Sequence, residues 1–157
     1  KRQIYRVKKG GLEMRQFIIA SHGELASGMV SAAEMIIGDI SRMKSCNLSD
    51  YRTIDDLYED VKSSVIANSE TEYVLMTDLL GGSVNNLLMQ LCEYKNVFVV
   101  TGMNLGLLLE LYLSSENEQT KVAALKAIES SKNNIRLFAY PINEYVEQSE
   151  QKEVNLW

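Results

Sequence analysis

Short runs of β-branched and aromatic residues alternate along this chain with longer stretches that repeat apolar residues every three or four positions. Gln16–Ala20 (QFIIA) is the first run; bounded by Ser21-His22-Gly23, it reads as a buried strand. Glu24–Ile37 follows with helical spacing, placing Leu25, Met29, Ala32 or Ala33, and Ile36 on one face, and Gly38 is a natural stop. Arg42–Leu48 is a weaker strand candidate. Ser49-Asp50 and Thr53 are N-cap candidates for a helix reaching Ala67, with Ile54, Leu57, Val61 and Val65 as its apolar stripe.

Tyr73–Thr77 (YVLMT) is the clearest strand, and it runs into Asp78-Leu79-Leu80 and then Gly81-Gly82-Ser83. Helical patterning returns over Val84–Cys92, with Ser83 as a candidate cap. Asn96–Thr101 (NVFVVT) is a further strand, followed by Gly102 and a helix to Leu113. Thr120–Ser130 is helical, and Ile135–Tyr140 reads as a late strand before Pro141, the only proline. Strands alternating with helices predict an α/β fold: three layers, with a central, mainly parallel sheet flanked by helices. No repeat or linker divides the chain, so residues 14–142 read as one domain. Residues 1–13, basic and containing Gly10-Gly11, read as an appended remnant or a disordered arm, with a native basic arm as the alternative; residues 143–157 read as a polar tail.

Composition narrows the function. The length of 157 residues suits one domain, and the apolar (46%) and charged (24%) shares are those of ordinary globular proteins. A net charge of −5 argues against nucleic acid or an anionic membrane as the main partner. No apolar run approaches the roughly 20 residues of a membrane span, and no signal peptide is visible. Cys46 and Cys92 lack a CxxC context and read as plain thiols of a reducing compartment, which makes a cytoplasmic location the expectation. With one histidine there is no set of zinc ligands. Met29, Met35, Met76 and Met89 read as core filler, and Asp55-Asp56 with Glu59-Asp60 as a solvated helix face.

In a parallel sheet, reacting groups collect beyond the carboxyl ends of the strands. Three polar stretches fall there: Ser21-His22-Gly23, Thr77 to Ser83, and Thr101-Gly102-Met103-Asn104. Imidazole can act as nucleophile, acid or base near neutral pH. If one nitrogen of His22 attacks phosphorus, the other needs an acceptor to hold its proton, and Asp78 at a neighbouring strand tip is the candidate. Glycines at a helix start turn N–H groups toward an anion, and Ser83 adds a hydroxyl. On residues alone, plainer readings stand beside these: a surface histidine in a loop, and a tight turn with an N-cap. Gly81-Gly82-Ser83 is not a P-loop, since no lysine follows.

At these residues the chain resembles the mannose-family enzyme IIA of the bacterial phosphoenolpyruvate-dependent sugar phosphotransferase system. FIIASHGELASGMVSAAEMIIG (Phe17–Gly38) is similar to the family's opening strand, phosphorylated histidine and first helix; MTDLLGGS (Met76–Ser83) resembles its second signature, and TGMNLGLLLEL (Thr101–Leu111) its third. The resemblance spans Met14 to Tyr140. It implies that His22 carries the phosphoryl group on Nε2 and that Asp78 orients the ring through Nδ1. It also implies that Thr77 and Ser83 lie close to the phosphate, with Gly81 and Gly82 forming the glycine turn. It implies the histidine-containing phosphocarrier protein upstream, enzyme IIB downstream, and indirect service to a membrane sugar-permease complex. No metal and no organic cofactor is implied. A homodimer is implied, in which a C-terminal strand crosses to the partner sheet; Ile135–Tyr140 would be that strand.

Two departures stand out: Val84 and Gly106 occupy positions where the family often has proline, which bears on loop rigidity and partner choice. The alternatives are the phosphocarrier subunit of dihydroxyacetone kinase, a subunit that phosphorylates only to switch itself, and a hydrolase built on Ser83, His22 and Asp78. The last lacks the GxSxG elbow.

Overall fold

The computed structural model describes residues 15–138. Four strands, β1 (Gln16–Ser21), β2 (Met43–Asn47), β3 (Tyr73–Thr77) and β4 (Val97–Thr101), form one sheet in the order β2-β1-β3-β4. Every pairing is parallel, with Ala20 opposite Thr77 and Cys46, Ser21 opposite Asn47, and Thr77 opposite Thr101. The helices are α1 (Leu25–Ile37), α2 (Ile54–Ala67), α3 (Ser83–Leu88), α4 (Leu105–Leu113) and α5 (Thr120–Asn133).

β1, β3 and β4 are almost continuously apolar because both faces of the sheet are covered there, whereas the edge strand β2 (MKSCN) is mixed. Successive side chains point to opposite faces. Phe17, Ile19, Val74, Met76 and Val100 therefore join α1, α4 and α5 in one core. Ile18, Ala20, Leu75 and Val97 join α2 and α3 in the other, around Leu57, Val61 and Val65. Each such large side chain contributes about 1.5–3 kcal/mol by leaving water.

The capping candidates before α2 are resolved in favour of Thr53. Its hydroxyl accepts from the Asp56 N–H while the Asp56 carboxylate accepts from the Thr53 N–H, a reciprocal capping box. Ser49 and Asp50 belong instead to a 3₁₀ turn, Leu48–Asp50.

Several expectations need correction. The buried face of α1 is Ala26, Met29 and Ala33, with Val30 and Ile37 partly buried, whereas Leu25 (50% exposed) and Ile36 (58%) face outward. The small Ala26 and Ala33 let the helix sit close on the sheet. Met29 and Met76 are core residues, but Met35 and Met89 are exposed. Asp60 is not simply solvated; it accepts from the Tyr51 hydroxyl (2.6 Å) and from Lys44 Nζ (2.9 Å). The helix after Gly82 is only six residues long and continues as a 3₁₀ segment, Met89–Glu93. Residues 135–138 belong to no strand of this sheet, and Ile135, Leu137 and Phe138 are exposed; the rest of the late strand, residues 1–14 and the tail lie outside the described residues. Among the described residues, no helix is long and apolar enough to cross a membrane.

Candidate functional site

The parallel register sets Ala20 beside Thr77, so the chain leaving β1 and the chain leaving β3 emerge side by side. His22 follows β1 directly and Gly23 (φ +54°) turns the backbone toward α1. Asp78 follows β3. Its Oδ2 accepts two hydrogen bonds from the same residue, one from the His22 backbone N–H (2.9 Å) and one from ring Nδ1 (2.8 Å). Oδ1 accepts from the Leu79 N–H at 2.9 Å. A carboxylate only accepts, so the ring proton sits on Nδ1 and the lone pair is left on Nε2. Nε2 lies 3.0 Å from Ser83 Oγ, which is therefore the donor in that contact.

The His22 side chain is 43% exposed and that of Asp78 only 12%. Burial works to raise the Asp78 pKa. The hydrogen bonds from the His22 ring and backbone, the charge of His22 and the Leu79 N–H outweigh it, leaving the carboxyl below its ordinary value. The pair thus has an ionised, anchored acid and an accessible ring.

The glycine turn is required sterically. Gly81 has φ +78°, a conformation that disfavours side chains. Gly82 has an ordinary φ of −66°, but a Cβ there would lie 3.0 Å from His22 Cε1 and 3.1 Å from the Leu79 carbonyl oxygen. Gly82→Ala is accordingly expected to displace the ring and slow any reaction at Nε2 by roughly tenfold or more. A comparison of single-turnover rates at equal folded concentration checks it.

Two predicted site residues are placed differently from expectation. Gly82, not Ser83, is the N-cap of α3, which leaves the Ser83 hydroxyl free for His22. Thr77 is fully buried and its hydroxyl donates to Asn85 Oδ1 (2.9 Å), while Asn85 Nδ2 donates to Met89 Sδ (3.3 Å). Thr77 therefore fixes the end of β3 against α3, and its carbonyl accepts from the Met103 N–H. The third polar stretch is structural in the same sense: Asn104 caps α4 at the Leu107 N–H and donates to Ser131. The sequence patterns do not assign Asn47, Ser49 or Asn85 to the site, Ser49 entering only as a cap candidate for α2. Asn47 had a signal, since a polar residue closing a strand beside Ser21 lies at the level of the site. Among the described residues no group of His, Cys, Asp and Glu is arranged to hold a metal ion. Cys46 is buried and Cys92 exposed, both as free thiols.

Comparison with known proteins places the chain in a family. The family model EIIA-man, described as PTS system fructose IIA component, matches residues 16–129. A PTS system sorbose-specific EIIA component from Lacticaseibacillus casei is 25% identical over 103 residues, 65% of this chain and 75% of the relative. The crystal structure of phosphotransferase system component EIIA from Streptococcus agalactiae superposes with a TM-score of 0.70 at 31% identity, covering 78% of this chain and 95% of that one. The PTS IIA protein associated with the fucose utilization operon from Streptococcus pneumoniae gives 0.70 at 28% identity, covering 82% and 96%. The family match takes in every residue of the His22, Asp78 and Ser83 cluster, and by it the chain belongs to the EIIA-man family, the mannose-family IIA components of the sugar phosphotransferase system.

Proposed function

We propose that this phosphotransferase-system component takes up a phosphoryl group on His22 Nε2 from the histidine-containing phosphocarrier protein and passes it to enzyme IIB for sugar uptake. The observation that carries this reading is the double hold of Asp78 on His22, which keeps the ring proton on Nδ1 and leaves the free electron pair on Nε2. In the transfer, Nε2 attacks phosphorus in line with the leaving nitrogen of the donor phosphohistidine. The N–P bond to the donor breaks and its electron pair stays with the donor ring. Positive charge then develops on the His22 imidazole, and Asp78 offsets it through Nδ1–H. The Ser83 hydroxyl leaves Nε2 and donates to a phosphoryl oxygen. Positioning and electrostatics carry most of such a reaction.

Leu79 (62% exposed) and Leu80 (72%) follow Asp78 directly, and they supply an apolar rim on which a carrier protein docks. A homodimer is part of the reading. The exposed Ile135, Leu137 and Phe138 and the outer edge of β4, which pairs only with β3 among the described strands, support a strand crossing to the partner sheet. The relatives matched are sugar-system components, which favours sugar uptake over dihydroxyacetone phosphorylation.

The test is incubation with phosphoenolpyruvate, enzyme I and the phosphocarrier protein. The expected product is an acid-labile phosphoryl adduct at His22; folded protein without that adduct refutes the proposal. A second reading draws on the Ser83–His22–Asp78 chain, which has the hydrogen-bond order of a nucleophilic serine. Labelling of Ser83 by a fluorophosphonate would favour it.

A further inference from the structure

Helix α1 begins three residues after His22, yet its own N-cap residue, Glu24, offers no side-chain hydrogen bond to the first turn. An N-cap side chain ordinarily satisfies the N–H of the second or third helical residue. Here both of those groups are satisfied from the sheet. The Ala26 N–H donates to Ser21 Oγ at 2.7 Å, and the Ser27 N–H donates to Asn47 Oδ1 at 3.0 Å. Ser21 closes β1 and Asn47 closes β2, directly opposite one another in register.

Asn47 is only 6% exposed. Its Nδ2 donates to Asp50 Oδ2 at 2.9 Å, which turns the amide so that Oδ1 faces Ser27. Two residues on, Ser49 Oγ donates to the Gly23 carbonyl at 3.1 Å. The segment carrying His22 is thus held from both neighbouring strands. Asp78, after β3, fixes the His22 backbone and ring; the β2 side, through Asn47 and Ser49, fixes the backbone that follows.

We propose that Asn47 is a positioning residue for His22: by capping α1 from the end of β2, it sets where the imidazole stands between Asp78 and Ser83. The inference rests on the phosphocarrier reading above. Without Oδ1, the partly buried Ser27 N–H loses its acceptor and the first turn of α1 loosens. The ring then samples positions away from Asp78. Asn47 touches neither the ring nor the incoming group, so its effect is on geometry and not on docking.

The experiment compares wild type, Asn47→Ala and the exchange variant Asn47→Asp with Asp50→Asn, which retains an acceptor at residue 47 and reverses its hydrogen bond with residue 50. It measures phosphoryl uptake from the phosphorylated carrier protein, ¹⁵N shifts of the His22 ring, and amide exchange at Ser27. For Asn47→Ala we expect a kcat lower by about tenfold, with KM for the carrier changed less than about twofold. Faster Ser27 exchange and ring shifts moving toward a mixture of tautomers are expected with it, and the exchange variant should recover most of the rate. Wild-type rate and ring shifts in Asn47→Ala would overturn the proposal. So would a rate that falls with thermal stability while the ring shifts stay unchanged. If Asn47→Ala does not fold, Asp50→Ala removes only the orienting partner, and unperturbed His22 shifts there would refute the role. Should wild type accept no phosphoryl group, the phosphocarrier reading fails, and the ring shifts alone decide the role of Asn47.

Discussion

His22→Gln is expected to accept no phosphoryl group from the phosphorylated carrier protein, a loss of at least about 10³-fold against wild type. The glutamine amide has the length to reach the same surface and can still donate to Asp78, but its nitrogen has no nucleophilic electron pair. Because the His22 side chain is 43% exposed and lies outside both cores, the substitution should leave the melting temperature close to that of wild type. Mass spectrometry of the intact protein under neutral conditions, with the far-ultraviolet dichroism recorded in parallel, separates lost chemistry from lost fold. A phosphorylated His22→Gln protein would move the acceptor elsewhere, with Ser83 the next residue to examine.

Asp78→Asn has the second largest expected effect, a slowing on the order of 10²–10⁴-fold. In wild type one oxygen, Oδ2, accepts from both the backbone N–H and Nδ1 of His22. Asparagine offers an oxygen and an NH₂ group in the two places. With the NH₂ group toward His22, it opposes both donors and favours the tautomer that protonates Nε2, which removes the nucleophile. With the oxygen toward His22, the NH₂ group opposes the Leu79 N–H, which now donates to Oδ1.

The same pair has a pH signature. Because the folded-state pKa of Asp78 is depressed, its contribution to stability is present above the unfolded carboxylate value of about 3.9 and is lost as pH falls through the lower folded value. Wild type should therefore keep the His22–Asp78 contact into the acid range below ordinary carboxylates. Asp78→Asn should show no acid transition in the His22 backbone amide resonance. An NMR titration of that amide in the two proteins checks the sign.

β1, β3 and β4 were legible because each is a short apolar run closed by polar residues, a pattern that a buried parallel sheet imposes, whereas the mixed edge strand β2 gave a weaker signal. His22 and Asp78 were legible for a related reason: strand ends collect chemistry, and these residue types suit one another. The phase of α1 was not. Leu25, Met29 and Ile36 fit helical spacing as well as Ala26, Met29, Ala33 and Ile37 do, and the choice between them is made by packing against the sheet and by the caps from the strand ends, Ser21 and Asn47. Hydroxyl direction was equally hidden. Thr77 and Ser83 both stand near the site in sequence, yet strand alternation turns Thr77 inward to Asn85, while a glycine cap leaves Ser83 facing His22. Asp60 reads as solvated in the sequence because its partners, Lys44 and Tyr51, come from β2 and the segment after it.

The separation between the two apolar clusters and the strand-end polar residues has a consequence for how such a chain diverges. The side chains that fill the interior are largely not those of the His22, Asp78 and Ser83 cluster. Interior side chains can be exchanged for one another, provided that volume is kept, without moving the His22 ring. Selection on catalysis then falls on a handful of residues at one rim of the sheet, and drift in the rest is limited by packing alone.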